Sequence, residues 1–319
     1  MLLISFSLSF AAQAQSQTQL RVLTSIKPLQ LIAAAVQDGV GQPDVLLPPG
    51  ASPHHFALRP SDVRHVREAD LLYWIGPDLE SFLPRVLAGR DKPSVSVQDL
   101  PQMSLRHFGD SDAQHAEHQD DHADHAEHAE HAEQVDADQH DHAHRTGSLD
   151  AHLWLLPANA RVIADKMASD LAQVDPANAA RYLANAEAFG QRLDALDQRL
   201  KARLSGLAGK PYFVFHEAYD YFEAAYGLKH AGVFSVLGEV QPGAQHVAAM
   251  RERLQQAGPT CVFSEPPVRP RLAQTLTAGL PVTLAELDAM GGALPVDAKG
   301  YEALLEKLAD ELAGCLEAL

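Results

Sequence analysis

Short apolar runs alternate with longer segments in which apolar residues return every three or four positions. In the first part of the chain Arg21–Ile26, Asp44–Leu47, Leu71–Gly76 and Ser94–Val97 read as strands. Between them Leu29–Gln37, Pro60–Ala69 and Leu79–Leu87 read as helices. The alternation returns later, with strands over Tyr212–His216, His230–Val236, Thr260–Ser264 and Val282–Leu284, and helices over His246–Ala257, Pro270–Ala278 and Lys299–Leu316. Such a pattern predicts βαβ units and mainly parallel sheets flanked by helices.

Between the two parts the pattern changes. Asp175-Pro176 offers an N-cap followed by proline at the first helical position. Tyr182, Ala186, Phe189, Leu193, Leu196, Leu200, Leu204 and Leu207 then recur at spacings of three and four. One amphipathic helix ending near Gly209 is expected, spanning about 45 Å at 1.5 Å per residue. The e and g charges of a coiled coil are not ordered, so a rigid connecting helix is the better reading. The expected fold is α/β, with a first lobe over residues 15–174, a linking helix over 175–208 and a second lobe over 209–319.

The chain starts MLLISFSLSFAAQAQ, an apolar stretch closing on Ala12-Gln13-Ala14. That is a small-residue cleavage pattern, and the stretch is too short to span a bilayer. Residues 1–14 therefore read as a cleavable export signal, although the positive n-region is missing. A periplasmic location follows. The two cysteines, Cys261 and Cys315, then point to a disulfide, with two unrelated buried thiols as the alternative.

One segment bears on partners. Residues 110–144 hold nine histidines, His115, His118, His122, His125, His128, His131, His140, His142 and His144, with twelve Asp and Glu and no Lys or Arg. Of the formal net charge of −17, this stretch supplies −12, leaving −5 elsewhere. No basic patch remains to suggest nucleic acid. With almost nothing to bury, the His/Asp/Glu-rich loop 110–146 is expected to be disordered. Imidazole and carboxylate accept borderline divalent cations, so weak auxiliary zinc capture is its expected chemistry.

Four further ligand types stand at or just beyond strand ends: His54 in LPPGASPHHFALRPSD, His152 in DAHLWLLP, His216 closing YFVFH, and Glu265 in CVFSEPP. Open parallel sheets bind ligands at the carboxyl ends of their strands. Three imidazoles and a carboxylate would suit tetrahedral Zn²⁺. Taken singly, each histidine has a structural alternative as a packed side chain, and Glu265 could cap a turn.

The segments PGASPHHFALRPSD, ADLLYWIGPDLESFL, HLWLLP, FVFHEAYDYFEAAYGL and CVFSEPPVRP resemble the solute-binding proteins of zinc-uptake ABC transporters, the ZnuA type of the cluster A-I metal-binding family. The likeness covers nearly the whole mature chain. It implies two α/β lobes joined by one long helix, one tightly bound Zn²⁺ in the interlobe cleft, and delivery to a membrane permease. It also implies that His54, His152 and His216 are ligands, that Glu265 is the carboxylate, and that Cys261 and Cys315 occupy the family's cysteine positions. Some zinc members carry Glu just before the first ligand histidine, and this chain has Pro53. The fourth ligand is then Glu265 or water, with His55 as second choice.

Manganese-type relatives place a carboxylate where His216 stands, so the imidazole favours zinc. A manganese binder and an adhesin on the same scaffold are the alternatives. H-E-x-x-H and G-x-S-x-G are both absent, which argues against a zinc hydrolase or serine esterase. A monomer is expected.

Overall fold

The computed structural model describes residues 20–109, 147–235, 244–266 and 270–319. The expected export signal and the His-rich segment 110–146 lie outside the described residues. Two four-stranded sheets result, each wholly parallel.

The first sheet contains β1 (Val22–Thr24), β2 (Asp44–Val45), β3 (Leu71–Trp74) and β4 (Ser94–Ser96) in the order β2-β1-β3-β4. Helices α1 (Lys27–Val36), α2 (Pro60–Glu68) and α3 (Pro84–Leu87) alternate with its strands. Every residue of β3 is buried, as parallel strands covered on both faces require. Helix α1 is buried continuously from Pro28 to Val36, so it lies inside the molecule rather than on its surface.

After the first sheet come α4 (Pro157–Val174) and α5 (Ala179–Leu204). The second sheet contains β5 (Tyr212–His216), β6 (Gly232–Ser235), β7 (Thr260–Ser264) and β8 (Val282–Glu286), ordered β6-β5-β7-β8. With it run α6 (Asp220–Tyr226), α7 (Ala244–Ala257), α8 (Pro270–Thr277) and α9 (Gly300–Leu316). Along β5 successive side chains face opposite ways. Tyr212 and Val214 join the large core, while Phe213 and Phe215 join a smaller cluster with Phe234, Met250, Leu254 and Val262.

The large core runs without a break from the first sheet, through α1, α4, α5 and α9, into β5 and β7. Helix α5 packs along α4 and also meets α1 and α9, burying Tyr182, Ala186, Phe189, Leu193, Leu196, Leu200 and Leu204. Arg192 donates to Glu302 Oε1 at 2.5 Å and to Ala298 O at 2.8 Å, tying α5 to α9. Gly300 allows α9 to approach α1, because a Cβ there would lie 2.7 Å from both Leu31 Cδ2 and Pro295 O. Cys261 of β7 and Cys315 of α9 form the expected disulfide, with Cα atoms 6.2 Å apart.

The structure corrects three expectations. The helix expected over Leu79–Leu87 is only Pro84–Leu87, because the Glu80 side chain turns back to accept from the Gly76 and Ile75 amides and Pro84 has no N–H to continue a turn. Asp175 does not cap a backbone amide with its side chain. Its Oδ2 accepts from Asn178 Nδ2 at 2.7 Å and Tyr182 OH at 2.8 Å, and Pro176–Asn178 form a 3₁₀ turn before α5 starts. Helix α4 was not anticipated. Its buried face is Ala160, Ile163, Ala164, Met167, Ala168 and Leu171, and the alanines give weak contrast against the polar face.

Candidate metal centre

In each sheet the strand order reverses direction between its first strand and the third one to form, at β1/β3 and at β5/β7. Beyond such points the connections diverge and leave a crevice. His216 ends β5, and Glu265 directly follows β7, so both stand at the second sheet's crevice. His54 lies on the loop between β2 and α2, its backbone N–H bonded to Ser52 Oγ at 3.2 Å. His152 precedes the 3₁₀ turn Leu153–Leu155. Trp154 in that turn is held by its Nε1–H on Ala289 O, 2.9 Å, and by Tyr301 OH on its own carbonyl, 2.6 Å.

These three histidines, remote in sequence, come together. Each offers one ring nitrogen, and the three nitrogens lie within 4.8 Å of one another. Ring centroids are separated by 5.4 Å for His54–His152, 5.2 Å for His54–His216 and 4.8 Å for His152–His216. His152 and His216 are buried.

Carboxylates back two of the rings. Asp150 Oδ1 lies 2.8 Å from His152 Nδ1, and Glu265 Oε1 lies 3.2 Å from His216 Nδ1. Burial holds the His152 imidazolium well below the ordinary histidine value, with the neighbouring His216 adding to the effect. The ring is thus neutral, the form that ligates a metal. Burial raises Asp150 to about 7, against the lowering effect of the His152 backbone N–H.

The structure therefore joins His54, His152 and His216, and sets Glu265 against Nδ1 of His216 rather than inside the group of three. His55 is exposed and outside that group. The auxiliary histidines His115 to His144 lie outside the described residues. Asp150 was not anticipated, although its place two residues before His152 in SLDAHLW was a legible signal.

Also unanticipated is a second group, Glu217, Asp220 and His230, whose ligand atoms likewise lie within 4.8 Å of one another. Burial raises Glu217 to about 7, with Asp220 adding, and raises Asp220 to about 6, with Glu223 and Asp150 adding. Burial works against the charged form of His230, but the Glu223 hydrogen bond and charge prevail and raise it.

The chain matches, over residues 22–315, the family described as zinc-uptake complex component A, periplasmic. A high-affinity zinc uptake system protein ZnuA of Yersinia pestis is 37% identical over 304 residues, covering 93% of this chain and 91% of that protein. The protein of that name from Brucella abortus (strain 2308) is 37% identical over 321 residues, covering 98% and 96%. A crystal structure of ZnuA superposes with a TM-score of 0.72 at 22% identity, covering 93% of this chain and 98% of that one.

Proposed function

Because this chain belongs to the family of periplasmic zinc-uptake component A proteins, we propose that it binds Zn²⁺ in the periplasm and delivers it to the membrane permease of an ABC importer. The observation that carries the reading is the meeting of His54, His152 and His216. Three imidazoles make a nitrogen-rich set that suits zinc better than harder ions. One ion is held there tightly. Glu265 takes the fourth position, reached from its present place against His216 Nδ1. The chain acts as a carrier, not a hydrolase, and as a monomer.

The His-rich segment adds weak, exchangeable capture, since its ligands must be ordered before they coordinate. Residues 1–14 direct export. The lobes span 15–174 and 209–319, joined by 175–208.

Chelator competition with the mature protein tests this. The wild type should hold one Zn²⁺ far more tightly than the rest, and His54→Ala, His152→Ala and His216→Ala should each abolish that tight site. Retention of tight binding in these variants would end the reading. For Glu265→Gln, a loss within the ~10–100-fold typical of an outer partner returns the fourth position to water, whereas a larger loss keeps it as a ligand.

A further inference from the structure

Two of the ligand turns are tied to each other outside the centre itself. Helix α6 begins shortly after His216 ends β5. It is fastened back onto that strand, since Tyr212 OH donates to Glu223 Oε1 at 2.6 Å and Glu223 is only 4% exposed. From the same helix the fully buried Tyr221 reaches the first lobe. Its hydroxyl donates to Asp150 O at 3.0 Å and accepts from the Arg106 N–H at 2.8 Å. On the carrier reading above, we infer that Tyr221 is a positioning residue for the metal centre, its one hydroxyl setting the separation of His152 and His216 across the two lobes.

Three observations support it. First, the ring of Tyr221 belongs to the second lobe and both partners of its hydroxyl belong to the first. One oxygen therefore spans the boundary between the two bodies that supply the ligands. Second, what it grips is stiff and leads to a ligand. The Asp150 carboxylate holds the main chain and ring of His152, and the Asp150 N–H donates to Arg106 O at 2.9 Å. Buried Asn159 adds a clamp, accepting from the Ser104 N–H at 2.9 Å and donating to Ser104 O and Leu153 O at 3.0 Å. A shift of Asp150 is thus passed to the His152 turn rather than absorbed by a loose loop. Third, the strap joins the pair that stands closest, with ring centroids 4.8 Å apart against 5.2 and 5.4 Å for the pairs with His54. Zinc–nitrogen bonds of about 2.0–2.1 Å tolerate little error in that spacing, and a spacing fixed beforehand spares the ordering cost on binding.

Tyr221→Phe tests this in the mature full-length protein. It keeps the ring and its packing and leaves the Arg106 N–H and Asp150 O without that partner. With the fold confirmed by circular dichroism, chelator competition should show the tight Zn²⁺ site weakened by about tenfold, the lower end of the cost of losing a group behind a ligand. The visible spectrum of bound Co²⁺, which reports ligand geometry, should change with it. Tyr182→Phe is the control, because Tyr182 is buried too and its hydroxyl donates to Asp175 at the turn into α5. That variant should lose stability yet keep the wild-type affinity and Co²⁺ spectrum. In an Asp150→Ala background the route to His152 is already cut, so adding Tyr221→Phe should change affinity by no more than about twofold. Wild-type affinity and spectrum in Tyr221→Phe, an equal affinity loss in Tyr182→Phe, or a full tenfold loss in the Asp150→Ala background would each overturn the inference. Failure of the carrier reading shows separately, as a wild-type protein with no tight site.

Discussion

Asp150 Oδ1 receives both the backbone N–H of His152, at 3.0 Å, and its ring Nδ1, at 2.8 Å. A single carboxylate oxygen thus fixes main chain and imidazole together. The lock extends further, since Asp150 O accepts from Tyr221 OH at 3.0 Å and that hydroxyl accepts from the Arg106 N–H at 2.8 Å. His152 is therefore oriented before any ion arrives, which spares the ordering cost on binding.

Asp150→Asn should weaken zinc binding by about 10–100-fold, the range usual for loss of a carboxylate behind a histidine ligand. Chelator competition measures the affinity, and circular dichroism checks that the fold survives. An affinity within twofold of the wild type would show that the lock contributes nothing to binding.

Glu80 should make the metal-free protein lose stability as pH rises. The carboxyl is fully buried, accepts from Ser25 Oγ and the Ile75 and Gly76 amides, and is raised by burial to about 7 from 4.5. The folded state keeps its proton through that window while the unfolded state releases it. Stability is fully present below pH 4.5 and declines up to about 7, by on the order of 3 kcal/mol. Urea midpoints of Glu80→Gln should fall less steeply over this window. Asp150 and Asp220, raised in the same direction, leave part of the slope in place. An unchanged slope would remove Glu80 from the account.

Removal of residues 110–144 should eliminate the weak zinc sites and leave the tight one. The two ends of the excised stretch already adjoin: Gly147 N–H donates to Phe108 O at 2.8 Å, and Asp150 N–H to Arg106 O at 2.9 Å. A short turn can close the gap without moving Asp150 or His152. Titration calorimetry should show fewer low-affinity equivalents and an undiminished high-affinity one. Loss of the tight site would mean that the segment supplies primary ligands.

Replacing Cys261 and Cys315 together by alanine should destabilise the protein by about 4 kcal/mol on chain-entropy grounds, since the bridge joins positions 54 apart in sequence. Denaturant unfolding measures this. A change below about 1 kcal/mol would place the effect elsewhere.

Zinc loading should change the overall shape little. The core continues through α1, α5 and α9 from one sheet to the other, and opening a hinge would expose that apolar contact to water. Small-angle scattering of metal-free and loaded protein should give the same radius of gyration. A marked contraction on loading would contradict a rigid frame.

Much of the architecture was legible in the chain itself. Continuous apolar runs such as YFVFH can be satisfied only with cover on both faces, so parallel sheets followed from pattern alone. The stripe from Tyr182 to Leu204 similarly announced α5, and His216 stands at a strand end as expected, whereas His54 and His152 lie on loops away from any strand end. Helix α4 escaped because its buried face is largely alanine, which hardly differs from a solvent-tolerant surface in apolar character.

Tertiary structure alone decided which donors meet. Periodicity reports the local direction of a side chain and says nothing about distance between residues far apart in the chain. Folding set Glu265 against Nδ1 of His216, put the carboxylate of Asp150 behind His152, and gathered Glu217, Asp220 and His230 beside Glu223. Residue type announced chemistry; only the packing of both sheets against one continuous core determined the ångström separations on which coordination depends.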